Sequence, residues 1–507
     1  MPQLNREFEL KLDLTGKELE RLARNPKLHA AGTQKVLRSV YYDTPDHRLH
    51  AQGISLRVRK DGQSYVQTVK LGMDLQDGLS NPAGIEDRLD GAQPNPARIH
   101  DKRVRRKVQK AVRGSGLTQA FETVVTRTTH RLRTRGSVME LALDRGQTLA
   151  MNRRSEICEA GLELVKGHPK DLLRAAQSLF AKSGVRLSPV SKAERGYRLL
   201  LKKRPAKAIE PVRARAPNIV KGQTCGEAFA EILRAAREQI VKNRTAVLET
   251  EEPEGAHQLR VGLTRLRSAH RALQALGDSP LLRQIETDAR TLSRAVGQLR
   301  DADVLIGEIY APFAGNPPRK PGFDALLGAL QAHRAAMQKE ARDALASAAW
   351  TRLLLSLTLW PSMLERDPSL QSPGEEYADK ALQKRWKKPA KLGRSISSLE
   401  GVKRHEMRKS LKKLRYTVQF LAPLYARAKV KPFVKQLKKL QDIFGYVNDV
   451  AMAGQMRDIC AAACRDEPAA LVAAGFVLGQ HEAKAAEVWA GAPEAWQRLR
   501  SSGRFWR

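Results

Sequence analysis

An internal repeat limits what this chain can fold into more than any other feature of its sequence. Compared 148 residues apart, residues 257–276 and 405–424 are identical at seven of twenty positions, with His, Arg and Leu in register. The register extends without a gap over 224–301 and 372–449. Each copy opens with Ser or Thr followed three residues later by Glu, the capping box that begins a helix. The repeat therefore predicts a duplicated helical bundle in the C-terminal half of the chain.

Each repeated segment carries two stripes of side chains at helical spacing. One stripe is apolar, which predicts the face that each helix buries in the bundle. The other stripe is cationic, and Glu406 is the one acid in the sequence of residues 403–415. A helix that is charged only for solubility would carry Glu four residues from many of its Lys and Arg. The stripe therefore favours an anion-binding surface over a merely solvated face.

The composition points to the same class of partner. Lys and Arg number 90 against 54 Asp and Glu, which gives a net charge of +36. A polyanion such as nucleic acid, an anionic lipid surface or polyphosphate would match this charge, and general solubility or Arg-rich codon usage is the alternative. The candidate contacts are His257, Arg260, Arg265, Arg267, Arg271, Arg290, His405, Arg408, Lys412, Lys413, Arg415 and Lys438. For the two histidines, a structural role at the start of the helix is an equal alternative.

The chain shows no sequence sign of export or membrane insertion. Its start is polar, and the longest apolar run, residues 353–360, is too short to span a bilayer. The four cysteines, Cys158, Cys225, Cys460 and Cys464, have no metal-ligand spacing. We expect a cytoplasmic protein without membrane contact.

The first 200 residues contain several segments that alternate with period two. Residues 6–12, 56–59, 66–70 and 139–144 each place charged side chains on one face, and Glu159 and Glu163 also share a strand face. Acids gather on the first and late segments and bases on the middle ones, which a solvated sheet surface would not require. The segments therefore predict a closed barrel with a charged lumen, and a sheet with one solvated face is the alternative.

Several separated motifs of this half occur in the order found in a known family. They are Glu7-x-Glu9-x-Lys11, Tyr41-Tyr42-Asp43-Thr44-Pro45, Arg57-x-Arg59, Lys70 and Ser191-Lys192-Ala193-Glu194-Arg195-Gly196-Tyr197. Together they resemble the CYTH superfamily, the triphosphate tunnel metalloenzymes, over residues 3–203. The resemblance implies an eight-stranded antiparallel β tunnel with flanking helices. It also implies cleavage of inorganic triphosphate, thiamine triphosphate or a related substrate with Mg²⁺ or Mn²⁺.

The same resemblance implies roles for individual residues. The phosphate-contacting residues would be Lys11, Arg57, Arg59, Lys70, Arg127 and Lys192, and the metal ligands Glu7, Glu9, Glu86, Glu140, Asp144 and Glu163. The residue types suit the chemistry, because phosphate oxygens take Arg and Lys donors and Mg²⁺ prefers carboxylates. One position departs from the family: Gly161 stands between Glu159 and Glu163 where an inward carboxylate is expected. This departure predicts weakened metal binding and turnover.

The repeated half resembles a CHAD domain, an α-helical module with basic, histidine-bearing helices that binds inorganic polyphosphate. CYTH followed by CHAD is a known bacterial arrangement, so the two resemblances support each other. Together they imply a multi-domain α+β protein with a C-terminal all-α duplicated bundle. Its parts would be a tunnel domain at 3–203, a Pro-rich linker at 204–222, a helical domain at 223–490 and a poorly ordered tail at 491–507.

These patterns predict a cytoplasmic protein that binds inorganic polyphosphate through its helical domain and associates with polyphosphate granules. Its tunnel would hydrolyse inorganic triphosphate, and a binding protein with an inactive tunnel is the alternative, because of Gly161. A nucleic-acid binder is the weaker alternative, since an aromatic content of 5% leaves few platforms for base stacking. The sequence also lacks a nucleic-acid-binding motif.

Overall fold

The computed structural model describes residues 8–28, 32–72, 79–80, 84–134, 136–181, 185–188, 191–201, 210–273, 279–315, 317, 320–464 and 467–506. The chain divides into two compact units, residues 1–208 and residues 209–507.

The first unit is built on an antiparallel sheet of ten strands among its described residues. The strands are β1 (Phe8–Asp13), β2 (Thr33–Asp43), β3 (Ile54–Asp61), β4 (Ser64–Leu71), β5 (Leu79–Ser80), β6 (Ile85–Leu89), β7 (Thr118–Thr134), β8 (Ser137–Ala150), β9 (Arg153–Lys166) and β10 (Arg186–Leu187). Eight of them have five or more residues, whereas β5 and β10 have two each. The predicted eight-stranded sheet is therefore present with two short additions.

The order of the strands brings the edges of the sheet towards each other. Neighbours follow the order β10-β1-β9-β8-β7-β2-β3-β4-β6, and β5 pairs with β1 as well. Three residues separate Ser80 of β5 from Gly84, which directly precedes β6. This connection spans at most about 15 Å, so the chain returns the β6 edge towards β1, as the predicted tunnel requires.

Helices cover the apolar face of this sheet. They are α1 (Gly16–Ala23), α2 (Arg48–Ala51), α3 (Lys102–Val112), α4 (Pro169–Phe180) and α5 (Lys192–Leu200). Leu56 and Val58 of β3 lie in one buried cluster with Val104 and Val108 of α3, and burying such a side chain contributes roughly 1.5–3 kcal/mol. Because side chains alternate along a strand, the intervening Arg57 faces the other side. The charged face is therefore left for the interior.

The second unit is helical. Its α-helices are α6 (Cys225–Glu249), α7 (Pro253–Leu273), α8 (Pro280–Val304), α9 (Lys320–Leu345), α10 (Ala348–Leu364), α11 (Gly374–Leu392), α12 (Gly401–Leu421), α13 (Arg427–Ala453), α14 (Gln455–Ala463), α15 (Pro468–Ala490) and α16 (Ala492–Ser501). The predicted duplication is confirmed, because α7 and α12 begin and end 148 residues apart. The helices α6 and α11 likewise open the two copies.

The two copies start side by side but are capped differently. Thr224 Oγ1 accepts from the backbone N–H of Glu227 at 3.2 Å, and the Glu227 carboxylate accepts in return from the N–H of Thr224 at 2.9 Å. The second predicted capping box, at Ser372, is wrong. Its carbonyl accepts from the N–H of Cys225 at 2.8 Å, and α11 begins after Pro373, which has no side-chain cap. The predicted repeat is therefore present, but a hydrogen bond between the two copies takes the place of the capping box predicted for the second copy.

The predicted linker is too long at its C-terminal side. The Asn243 side chain holds the backbone of Val212 through two hydrogen bonds, of 2.9 and 2.8 Å. Ile219 is 3% exposed. Residues 210–222 therefore belong to the helical unit, because Asn243 fixes the backbone at Val212 and the bundle buries Ile219. Residues 202–209 lie outside the described residues.

The predicted disorder of residues 491–507 is wrong. Residues 492–501 form α16, and Trp496 and Trp506 are both buried. The ring of Trp496 stacks on that of Trp386 in α11, with centroids 5.5 Å apart. The two tryptophans supply enough apolar area to hold a segment that the sequence predicted to be poorly ordered.

Candidate functional site

Three carboxylates form a row across neighbouring strands of the first unit, here called the acidic row. Glu9 of β1 lies opposite Glu163 of β9, which in turn lies opposite Glu140 of β8. Directly opposed residues have Cβ atoms about 4.5–5.5 Å apart, and like charges at that distance repel. Burial would raise the pKa of Glu9, but Lys11 and Lys70 hold it below its ordinary value. Glu9 is therefore ionised at neutral pH, and the row favours a cation beside it.

A second row of acids lies four residues further along β1 and is neutralised by the protein itself. The row consists of three acids on β1, β9 and β8, followed by an arginine on β7: Asp13, Glu159, Asp144 and Arg127. Arg127 donates from Nε and Nη2 to the two oxygens of Asp144, each at 2.7 Å. Lys192 of α5 binds Asp144 at 2.9 Å and also binds Glu159. Arg127 and Lys192 are therefore held by carboxylates, so a phosphate would have to compete for them.

The pKa values in this second row follow from the same contacts. Burial would raise the pKa of Asp144 and of Glu159, but Lys192 holds both below their ordinary values, with help from Arg127 at Asp144 and from Arg195 at Glu159. Burial would lower the pKa of Lys192, but Glu159 and Asp144 raise it. All three groups are thus charged at neutral pH.

Between the two rows, one level of the sheet offers no carboxylate. Lys11 lies opposite Gly161, which lies opposite Ala142. A Cβ at position 161 would lie 3.1 Å from Oε1 of Glu9. The predicted gap in the acids is therefore located directly beside the acidic row.

The middle strands supply cations to the same face. Arg57 of β3 lies opposite Thr68 of β4, which lies opposite Glu86 of β6. Thr68 Oγ1 donates to Glu86 at 3.1 Å, whereas Arg57 Nη2 is 3.9 Å from that carboxylate. The buried Nε of Arg57 has no hydrogen-bond partner in the part of the chain that the structure describes. Arg57 therefore keeps a free donor on the charged face.

Arg59 lies two residues further along β3 on the same face. Its Nε donates to Ser39 Oγ at 3.1 Å. Burial lowers the pKa of Arg59 to about 10, with added repulsion from Arg57 and Arg127. Such crowding of positive charge would be relieved by an anion.

The sheet brings the predicted tunnel residues together. The candidates on the charged face are Glu9, Lys11, Arg57, Arg59, Lys70, Glu86, Arg127, Glu140, Asp144 and Glu163, and Lys192 reaches this face from α5. Glu7 lies outside the described residues. Arg195 is not among the residues that the sequence predicts for the site, yet its Nη2 donates to Glu159 at 3.2 Å. Its spacing of three residues from Lys192 on α5 was the available signal, because it puts both on one side of that helix.

The carboxylates of the charged face are potential ligands of a divalent metal. Among the described residues, no three acidic, His or Cys side chains converge closely enough to hold a metal ion as they stand. The ligand type nevertheless fits, because the acidic row supplies the carboxylate oxygens that Mg²⁺ prefers. Gly161 also leaves room beside Glu9.

In the second unit, the cations of the first copy are largely paired with acids of α8. Arg260 of α7 is bound by Asp301. One carboxylate, that of Glu286, lies 3.2, 3.7 and 3.4 Å from the guanidinium groups of Arg267, Arg271 and Arg290 respectively. Much of the charge on this copy is therefore satisfied within the protein.

The cations of the second copy have weaker partners. Val434 stands 148 residues after Glu286, so that carboxylate has no counterpart. Arg415 of α12 donates to the neutral side chain of Gln441 at 3.1 Å. The α12 stripe is thus less compensated than the α7 stripe.

The stripes of both copies meet where α7 and α12 approach each other. Burial lowers the pKa of Lys412 to about 8, and Arg408 of the same helix and Arg260 of α7 add repulsion. Burial also lowers the pKa of Arg408, against the attraction of Asp449. We call Arg260, Arg408 and Lys412 the central cluster.

The remaining candidates are placed less favourably or differently. Arg265 is 4% exposed and donates to the Arg215 carbonyl at 3.1 Å, so it packs the bundle instead of joining the exposed stripe. Burial and neighbouring cations hold the pKa of His257 and of His405 below the ordinary value, so both are uncharged at pH 7. Lys438 is exposed on α13.

No helix in the described ranges is long and apolar enough to cross a membrane.

Comparison with known proteins identifies both units. Residues 5–197 match the CYTH domain family, and residues 231–458 match the CHAD domain family. An inorganic triphosphatase of Haemophilus influenzae is 30% identical over 164 residues, which are 32% of this chain and 46% of that protein. The match thus spans less than half of that relative. The crystal structure of the CHAD domain from the plant Ricinus communis has 28% identity and a TM-score of 0.51, and the match covers 57% of this chain and 96% of that one.

Proposed function

Because the chain consists of a CYTH domain followed by a CHAD domain, we propose that its first unit hydrolyses inorganic triphosphate and its second unit binds inorganic polyphosphate. The observation that carries the first part is the charged face of the sheet, where the free donor of Arg57 and the crowded Arg59 share an interior with the acidic row. The name of the Haemophilus relative agrees with that substrate. The test is phosphate release from tripolyphosphate in Mg²⁺ or Mn²⁺.

The cations of the middle strands would bind the substrate. Burial and repulsion from Arg57 make the charge of Arg59 costly, and Arg57 has an unpartnered Nε donor. Phosphate oxygens would therefore gain from charge-assisted hydrogen bonds to both side chains. Lys11 and Lys70 face the same side and lie close enough to Glu9 to lower its pKa. In the reaction, a water oxygen bonds to the terminal phosphorus and pyrophosphate leaves. The arginines would stabilise the charge that develops on the leaving oxygens.

The acidic row would hold the metal. Glu9, Glu140 and Glu163 offer carboxylates on one face, and a bound divalent cation would neutralise charge on the phosphate oxygens. The neutralised second row, by contrast, would keep Lys192 and Arg127 in place. The negatively charged substrate would thus lie between cations that the protein holds in place and the acidic row that binds the metal.

Gly161→Glu is expected to raise the affinity for Mg²⁺ or the rate of tripolyphosphate hydrolysis. The new side chain would enter beside Glu9, whose carboxylate must give by a few tenths of an ångström, and would supply the missing oxygen ligand. Metal titration of hydrolysis for both proteins checks this. Gly161→Gln is the matched control, since it adds similar bulk without the charge. An equal effect of both variants would contradict a ligand role for position 161.

The helical unit would bind polyphosphate by charge. A chain of identical phosphates offers only oxygens and negative charge, so affinity should grow with the number of cations engaged, and salt should weaken it through counterion release. The central cluster supplies three cations from two helices. A long chain that crosses several such contacts would gain from effective concentration. Binding of this kind would place the protein on cytoplasmic polyphosphate granules.

Lys412 gives this binding an expected pH dependence. Its ammonium is charged below a pKa of about 8 and loses its charge above it, and the charged form is the one that attracts phosphate. Binding should therefore take up a proton above pH 8 and weaken as the pH rises, by at most about tenfold between pH 8 and 9. Calorimetric titration with long-chain polyphosphate at both values checks this, and Lys412→Met should flatten the profile. An affinity that stays constant over this interval would contradict the assignment.

A further inference from the structure

A small pocket between α11 and α12 is lined mostly by cations. Its volume is about 220 Å³, and its charged lining is Lys384, Arg385, Lys388, Glu406, Lys409 and Lys413. The remaining lining residue, Ser410, donates its hydroxyl to the Met407 carbonyl at 2.7 Å. The pocket is smaller than the roughly 300–1,000 Å³ clefts that hold drug-sized ligands. It therefore suits a compact charged group.

The charges in this pocket are poorly balanced. Glu406 is the one acid of the lining, and its Oε2 lies 3.3 Å from Lys388 Nζ. Burial lowers the pKa of Lys413, and Arg271, Arg385 and Lys388 add repulsion. Five cations thus face one carboxylate, which is the arrangement expected where an anion binds.

Three of the five cations in this pocket have no counterpart in the first copy, whereas Arg237 and Arg265 stand 148 residues before Arg385 and Lys413. The residues 148 positions before Lys384, Lys388 and Lys409 are Ala236, Ile240 and Val261. The first copy therefore has no lysines at these places, although they lie on the equivalent helices α6 and α7. A charge imbalance confined to one copy is not a by-product of the repeat. It indicates that the copies have diverged in what they bind.

We propose that this pocket is a phosphate-binding subsite of the second copy, which takes phosphoryl groups of an inorganic polyphosphate chain that also crosses the central cluster. The inference rests on the proposed function of the helical unit. No aromatic ring is among the lining residues, so a single-stranded nucleic acid would find no stacking platform here. Lysines act as point charges on phosphate without a geometric demand on the rest of the ligand. The helical unit would consequently bind polyphosphate asymmetrically, mainly through α11 and α12.

The test compares two triple variants of the full chain. The pocket variant is Lys384→Ala/Lys388→Ala/Lys409→Ala, which removes three exposed lysines of the pocket. The control variant is Lys320→Ala/Lys339→Ala/Arg498→Ala, which removes three cations that are each paired with an acid four residues away. Binding of long-chain polyphosphate is measured for both between about 50 and 200 mM salt.

We expect the pocket variant to lose about tenfold or more in affinity and to lower the salt slope by about two, at roughly 0.7 for each lost contact. The control variant should bind like the wild-type protein. Equal binding by the pocket and wild-type proteins would overturn the subsite while leaving the proposed function intact. Absence of polyphosphate binding by the wild-type protein would overturn both. If single-stranded RNA binds as tightly and loses affinity in parallel, the pocket reads any phosphate backbone, and the polyphosphate assignment is wrong.

Discussion

The triple variant Arg408→Gln/Lys412→Gln/Arg415→Gln is expected to lose long-chain polyphosphate binding by on the order of 1,000-fold. Three charge-assisted hydrogen bonds at about 1.5 kcal/mol each would account for that loss. Gln is preferred to Glu because Arg408 lies near Asp449, where a second carboxylate would repel the first. Binding is measured with full-length protein in low salt, and the tagged variant should leave polyphosphate granules in cells.

The first copy offers a comparison for this variant. The matching variant removes a cluster in which three arginines are already paired with one carboxylate. Its substitutions are Arg267→Gln, Arg271→Gln, Arg290→Gln and Glu286→Gln. This four-fold variant should bind polyphosphate far more tightly than the α12 variant. If the two lose equal affinity, the copies contribute alike, and the stronger role given to α12 is wrong.

The variant Arg57→Ala/Arg59→Ala is expected to lower tripolyphosphate hydrolysis at least about 100-fold, which is the usual loss on removing one preorganised donor to a developing oxyanion. Thermal unfolding of the variant is measured beside hydrolysis, because Arg59 also donates a hydrogen bond to Ser39 in the fold.

Arg38→Ala is the matched control for this variant. Arg38 lies on β2 next to Ser39 but on the opposite face, where its side chain is 68% exposed and paired with Glu122. Hydrolysis by this variant should equal that of the wild-type protein. A similar loss in both would mean that the effect comes from the sheet as a whole and not from its interior.

Most of the architecture followed from patterns with a fixed period. The 148-residue repeat predicted two equivalent helices, and α7 and α12 begin and end 148 residues apart. The prediction was possible because an apolar stripe at helical spacing must be buried. Alternation of charge along the strands likewise predicted which side chains share the interior face, as the register of Glu9, Glu163 and Glu140 shows.

Pairing between distant residues could not be predicted in this way. The sequence does not tell that Asp144 is bound by both Arg127 and Lys192, because those contacts join a strand to its neighbour and to a helix. The cations of α7 are paired with Glu286 of α8, whereas those of α12 have no such acid on α13. This difference depends on the neighbouring helices as much as on the two cationic helices themselves. The sequence does not single out the lysines of α11, because they lie outside the repeated stripe and face it only in the fold.

The central claim is that the two units carry separate functions. It is tested by measuring orthophosphate release from tripolyphosphate in Mg²⁺ for two proteins, the α12 variant (Arg408→Gln/Lys412→Gln/Arg415→Gln) and the Arg57→Ala/Arg59→Ala variant. The α12 variant is expected to hydrolyse tripolyphosphate at the wild-type rate although it no longer binds long-chain polyphosphate. The Arg57→Ala/Arg59→Ala variant should have lost hydrolysis. Loss of hydrolysis in both variants, or its absence in the wild-type protein, would contradict the account.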